Sequence, residues 1–162
     1  WQCSTLQLDF NMPRRFGLEY TDKDNSKKIP VVLHRAVFGS VERFIGVLLE
    51  HLNGNLPLWL SPVQVRVLNF TDRNTKTAEK TIEQLKDALP QLRIESDLRS
   101  TTINDKIRDA ELQKIPIVIV IGDKEEEAKT IAVRERGTSK PKFGVKLAYL
   151  VKELKEKIDK RT

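Results

Sequence analysis

Residues 30–44 read PVVLHRAVFGSVERF, and three local rules divide them. Residues 30–36 are mostly apolar and β-branched, which predicts a strand carrying His34. Gly39 breaks that strand. Ser40 suits a helix N-cap, and Glu42 falls in the first turn, where the peptide dipoles favour an anion. The helix runs to about Leu52, with Phe44, Ile45, Leu48, Leu49 and Leu52 on one apolar stripe. Arg43 lies in its first turn, and helix N-termini and arginines both favour phosphate. On these grounds alone the segment also fits an ordinary strand, turn and helix with a surface arginine.

Toward the N-terminus, residues 3–10 (CSTLQLDF) alternate polar and apolar, as a half-buried strand does. Pro13 ends that run. Residues 17–20 predict a short strand, and the polar stretch Asp22 to Lys28 predicts a hairpin loop. Two antiparallel strands leading into a helix make a coherent unit that is too small for its own core.

Toward the C-terminus, residues 53–62 (NGNLPLWLSP) contain two prolines and a glycine and read as an interdomain linker. Leu58, Trp59 and Leu60 make it a packed linker. Residues 63–162 then alternate. Strands are predicted over 63–70, 92–98, 117–121 and 130–135, and helices over 74–89, 103–114 and 144–160. IVIVI at 117–121 is a continuous apolar run, hence a central strand buried on both faces. The strand at 130–135 pairs with it through a turn at Gly122 and Asp123. The order βαβαββα implies an α/β fold with a mixed sheet flanked by helices.

The chain has 162 residues and a net charge of +6. Residues 1–56 carry 7 Lys/Arg against 6 Asp/Glu, and residues 57–162 carry 22 against 17. The second part is therefore the better partner for a polyanion, the alternative being a lysine-rich solvated surface. The single cysteine excludes an internal disulfide framework and fits a reducing compartment. No apolar run approaches the roughly 20 residues that span a bilayer. A first residue of Trp1 suggests a piece of a longer protein.

Gly39-Ser40-x-Glu42-Arg43-Phe44 resembles motif 3 of class II aminoacyl-tRNA synthetases. Trp1-Gln2-Cys3-x-Thr5-x-Gln7-x-Asp9-Phe10, followed by PVVLHRAVFGSVERF, is similar to the threonyl-tRNA synthetases in particular. The resemblance continues through LWLSPVQV, DLR, KIR, IGDKE and AVRERG and covers essentially the whole chain. It implies the end of an antiparallel class II catalytic domain over residues 1–56, then a mixed-sheet α/β anticodon-binding domain over residues 57–162.

By position, the resemblance implies that Arg43 binds ATP and Gln2 contacts its ribose or phosphates. It implies that Thr5 lines the threonine pocket, that Gln7 lies close to the nucleotide, and that Ser40 stands at the motif 3 turn. His34 matches one of three protein ligands to a Zn2+ ion that binds the amino and hydroxyl groups of threonine. Such a site separates threonine from valine, because a site demanding an oxygen rejects the analogue without it. Cys3 matches no zinc ligand and is expected to be a buried packing residue. His51, near a helix end, is expected to be structural. In the second domain Glu125 and Arg134 match readers of the second and third anticodon bases. Arg108 and Lys114 match basic positions facing the anticodon stem-loop. A planar guanidinium and a carboxylate suit base edges, while a solvated charge is the alternative at all four positions.

The sequence departs from the family at Ser4, where glycine is common, and at Ser100 and Thr102, where some bacterial relatives carry Asn and Lys. Motifs 1 and 2 are not in this chain, so the fragment alone is not expected to activate an amino acid. The expected function is a share in a cytoplasmic, ATP- and Mg2+-dependent threonine–tRNA ligase. Its partners are threonine, ATP and threonine tRNA, and the whole enzyme is a homodimer. The alternatives are a non-catalytic tRNA-binding module and, more weakly, a scaffold built on the anticodon domain.

Overall fold

The computed structural model describes all residues except Ser139 and Thr162. The chain divides into two compact units, Trp1–Gly54 and Asn55–Thr162.

The first unit holds β1 (Thr5–Asp9), α1 (Met12–Arg15), β2 (Tyr20–Thr21), β3 (Lys27–Lys28), β4 (Val32–Ala36) and α2 (Val41–His51). β1 and β4 form an antiparallel ribbon, and β2 and β3 a second one. Pro13 does more than end β1. It sits in the first turn of α1, where a missing N–H costs nothing. Asp9 Oδ1 accepts from the backbone N–H of Asn11 and Met12, each at 2.9 Å. The 22–28 loop tightens into β3, held by Asn25 in a left-handed turn (φ 60°) and by the Lys28–Asp22 ion pair. α2 starts on Ser40, whose Oγ accepts from Arg43 N at 3.2 Å. His51 lies in its last turn.

Among the described residues of this unit, Pro13 alone is buried. The apolar stripe of α2 is half-buried at Phe44, Leu48 and Leu52 but exposed at Ile45 and Leu49. Cys3, expected as a buried packing residue, is half-buried. Two two-stranded ribbons and one long helix have too little area to close over a stripe of that width.

The second unit holds β5 (Val65–Asn69), α3 (Thr75–Ala88), β6 (Ile94–Asp97), α4 (Ile103–Leu112), β7 (Ile117–Ile121), α5 (Asp123–Ala128), β8 (Ile131–Glu135), β9 (Lys142–Val145) and α6 (Leu147–Asp159). The five-stranded sheet runs in the order β6-β5-β7-β8-β9. β5 is parallel to β6 and β7, while β7–β8 and β8–β9 are antiparallel. The sheet is mixed and β7 is central, as the IVIVI run implies.

Successive residues of β5 and β7 serve opposite layers. Val65, Val67, Ile117, Ile119 and Ile121 join Ala78 and Leu85 of α3 and Leu150 and Leu154 of α6. Leu68 and Val118 join Ala110 of α4 and Ile115. Leu58, in the segment expected as a linker, is buried in the larger of these cores.

Two expectations need correction. The turn at Gly122 and Asp123 is the helix α5, with Asp123, Glu125 and Glu126 in its first turn. Those carboxylates complement the helix dipole, and Glu126 also accepts from Asn74 Nδ2 (2.8 Å) and Thr77 Oγ1 (2.6 Å), a tie invisible in the local string. The closing helix starts at Leu147 and not at residue 144, because residues 142–145 form the strand β9. Gly144 adopts φ 68°, outside the helical region, and β8 supplies the hydrogen bonds. Glu135 of β8 pairs with Lys142 of β9 and Lys157 of α6, so strand and helix are pinned together.

Candidate functional site

In the first unit the ribbon register decides which side chains share a face. Gln7 lies opposite His34, and Thr5 opposite Ala36. Directly opposed residues of an antiparallel pair project to the same side, so Thr5, Gln7, Asp9 and His34 share one face. Asp9 Oδ2 lies 3.3 Å from His34 Nε2, and the His34 side chain remains 42% exposed. The Asp9 carboxyl is held below the usual carboxylate range, first by the Met12 N–H, then by the Asn11 N–H, with a smaller contribution from His34. It thus stays ionised and orients the imidazole.

Gly39 brings the other residues near. Its φ of 67° suits glycine, and a Cβ there would lie 3.5 Å from Cys3 O and 3.9 Å from Gln2 O. The turn before α2 therefore lies against the backbone of Gln2 and Cys3. Gln2, Ser40 and Arg43 are all exposed at this end of the helix.

In the second unit the C-terminal ends of the parallel strands β5 and β7 are the natural ligand edge of an open α/β sheet. A cavity of about 440 Å³ opens there, lined by Phe70, Ile107, Glu125, Arg134 and Phe143 among others. Glu125 and Arg134, predicted as base readers, thus share one wall. Glu125 Oε2 accepts from Gly122 N at 3.2 Å, which closes the first turn of α5 and aims the carboxylate. Arg134 also lines a second cavity of about 460 Å³ with Lys114, and its Nη1 lies 3.6 Å from Glu111 Oε1. Arg108 stands exposed on α4 and lines neither cavity.

A third cavity, of about 390 Å³, lies beyond Phe70 and takes in Ser100, Thr102 and Lys106. Lys106 is almost wholly buried, and its Nζ donates to Asn69 O (3.1 Å) and Asn69 Oδ1 (2.6 Å). Burial pushes its pKa down, opposed by the charges of Asp97 and Asp72. Arg99, bonded to both Asp97 and Asp109, fixes the start of the 99–102 loop. The reading of the residues missed Phe70, Phe143 and Lys106. Phe70 was folded into a strand and Phe143 lies one residue before the predicted helix, so neither was legible as a cavity wall.

Residues 64–157 match the family described as the anticodon binding domain. The chain belongs to that family. Ahead of its anticodon-binding unit, residues 1–52 match the class II core domain of the G, H, P, S and T tRNA synthetases. The threonine–tRNA ligase of Sulfurihydrogenibium sp. is 55% identical over 137 residues, which is 85% of this chain and 21% of that protein. The one from Desulforamulus reducens is 48% identical over 163 residues, 100% of this chain and 25% of that protein. The chain therefore spans about a fifth to a quarter of the length of these curated relatives. The solved RNA binding domain of threonyl-tRNA synthetase from Cryptosporidium parvum superposes with a TM-score of 0.83 at 36% identity, over 96% of this chain and 39% of that one. Prolyl-tRNA synthetase from the same organism gives 0.73 at 21% identity over 98% and 34% of the chains, a likeness of fold alone. The similarity to threonyl-tRNA synthetases read from the motifs holds over both units. No helix among the described residues is long and apolar enough to cross a membrane.

Proposed function

We propose that the chain is a working part of a threonine–tRNA ligase, with the end of a catalytic domain over residues 1–56 and an anticodon-binding domain over residues 57–162. The observation that carries this reading is the register of β1 on β4, with Gln7 opposite His34, together with the approach of the Gly39 turn to Gln2. Residues matched to threonine and to ATP thereby come from one short stretch of chain.

The reaction forms threonyl-adenylate from threonine and ATP, then transfers threonine to the terminal ribose of its tRNA. Both steps place negative charge on phosphate oxygens. Arg43, an exposed residue of the first turn of α2, can offset that charge, and Gln2 and Gln7 offer amides to the nucleotide. Thr5 projects onto the same ribbon face as His34 and borders the amino-acid side. Mg2+ accompanies ATP as substrate.

Zinc fits His34 as a single ligand. Asp9 engages Nε2, which leaves Nδ1 for a metal, and a carboxylate behind a ligating imidazole fixes its tautomer. No group of three His, Cys, Asp or Glu that could hold a metal occurs among the described residues, so a zinc held by His34 would need its other ligands from outside them. When bound, the zinc supplies an open position that demands the threonine hydroxyl. Glu125 and Arg134 read bases of the anticodon, and Arg108 and Lys114 meet the stem-loop backbone. The full enzyme is a cytoplasmic homodimer.

A non-catalytic tRNA-binding module is the second reading, favoured by the missing core of the first unit. The two are separated by mixing the fragment with the missing N-terminal part and measuring threonine-dependent ATP–pyrophosphate exchange. Recovery supports the ligase, and none with folded halves supports the module. In the full enzyme Arg43→Ala should raise the KM for ATP or lower turnover, and unchanged kinetics refutes its role. Filter binding to threonine tRNA and to an anticodon-swapped control tests Glu125 and Arg134. Equal binding to the two overturns that assignment.

A further inference from the structure

We propose that the Phe70 ring divides two consecutive unstacked nucleobases, one held against Phe143 and the other over the 99–102 loop. The inference rests on the anticodon reading above and names the stacking surfaces that reading lacks.

Phe70 follows the last residue of β5, at the ligand edge of the sheet. The residue is 52% exposed, and it is the one described residue shared by the cavities of about 440 and 390 Å³. Gly122 lies beside it: a Cβ there would stand at an ordinary contact of 3.5 Å from Phe70 Cβ and at 2.9 Å from Glu125 Oε2, so a larger residue would press on the capping carboxylate.

The two compartments differ in chemistry. The larger has a second aromatic residue in its lining, Phe143, which is 70% exposed. Arg134 and Glu125 lie on the same lining, so a flat apolar slot is bordered by one planar donor and one acceptor. The smaller is polar. Ser100 and Thr102 bring hydroxyls, and Lys106 spends two of its three N–H donors on Asn69. An apolar helix or peptide would suit the first compartment but not the polar lining of the second. A nucleic-acid strand suits both, because each base pairs an apolar face with a polar edge, and successive bases pass naturally to either side of one ring. The excess of 22 Lys/Arg over 17 Asp/Glu in residues 57–162 attracts the phosphates that join them.

The test uses the whole chain and an RNA hairpin carrying the threonine anticodon loop, with single abasic sites introduced at each loop position. Phe70→Leu and Phe143→Leu keep apolar bulk at exposed positions and remove the ring, and Phe70→Tyr restores it. Each Leu variant should weaken binding of the intact hairpin roughly tenfold, the scale of one base–aromatic stack. The loss from Phe70→Leu should shrink when either of two adjacent loop positions is abasic. The loss from Phe143→Leu should vanish at one of those two only, and Phe70→Tyr should bind as wild type. If neither Leu variant couples to any abasic position while Glu125→Ala and Arg134→Ala still weaken binding, the stacking proposal fails and the anticodon reading stands. If wild type binds every loop sequence equally, both fail.

Discussion

β4 and β7 are both five-residue strands of largely apolar composition, yet they end in opposite environments. Leu33, the second residue of β4, is 60% exposed, whereas Ile119, in the middle of β7, is 0% exposed. β7 lies between β5 and β8 with helices on both faces, while β4 has one partner strand and open faces. Composition specifies what a strand can bury, and neighbours decide what it does bury. The ribbon carrying His34 has little core of its own to hold its side chains, whereas the cavity lined by Glu125 and Arg134 is framed by a core its own unit supplies.

Hydrogen exchange on the whole chain should show the widest gap. Amides of β5 and β7 should open only with global unfolding of the second unit, and amides of β1 and β4 by local opening. Protection factors should differ by at least about 10³-fold. Comparable protection would break the comparison. Core truncation is next. Leu85→Ala, at a fully buried position of α3, should cost about 2–5 kcal/mol in urea unfolding, against under about 1 kcal/mol for half-buried Leu48→Ala.

Lys106→Met removes the ammonium that satisfies both oxygens of Asn69 and should cost about 1–3 kcal/mol, read in the same assay. Asp97 sharpens the contrast through pH. Its carboxyl is held below the usual range, chiefly by its hydrogen bond with Arg99. A carboxylate lowered on folding adds stability above its unfolded pKa of about 3.9 and loses it as pH falls through the folded value. Asp97→Asn should therefore be less stable than wild type at pH 7, and the difference should close as pH falls below the usual carboxylate range and through the folded value. A gap that persists at low pH would refute the charge contribution. The smallest effect is Ser40→Ala, which should fray α2 by about 1 kcal/mol in local exchange while leaving the melting of the second unit unchanged.

Much of this was legible because it is local. Ser40 caps α2, the IVIVI run is central, and the alternation of residues 63–121 yields β5, α3, β6, α4 and β7 in order. The family resemblance also singled out Glu125 and Arg134, which the structure brings to the lining of one cavity. α5 escaped notice because it is anchored by Asn74 and Thr77, about 50 residues away. β9 escaped because an edge strand takes its hydrogen bonds from β8, and its own sequence alternates too briefly to show it. The exposed apolar residues of α2 looked like a core stripe because periodicity registers a face and is silent on what covers it.

By itself, the sequence determined the order of elements from β5 to β7, the central apolar strand and the excess of positive charge in the second part, while the resemblance to a known family singled out His34, Arg43, Glu125 and Arg134. The first three follow from propensity, periodicity and composition, which need no knowledge of distant contacts. The tertiary structure alone decided that Asp9 meets His34, that the Gly39 turn lies on Gln2, and that Phe70 stands between two cavities. Such contacts depend on strand register and on where loops from separate strands converge, and no local rule of the chain encodes that convergence.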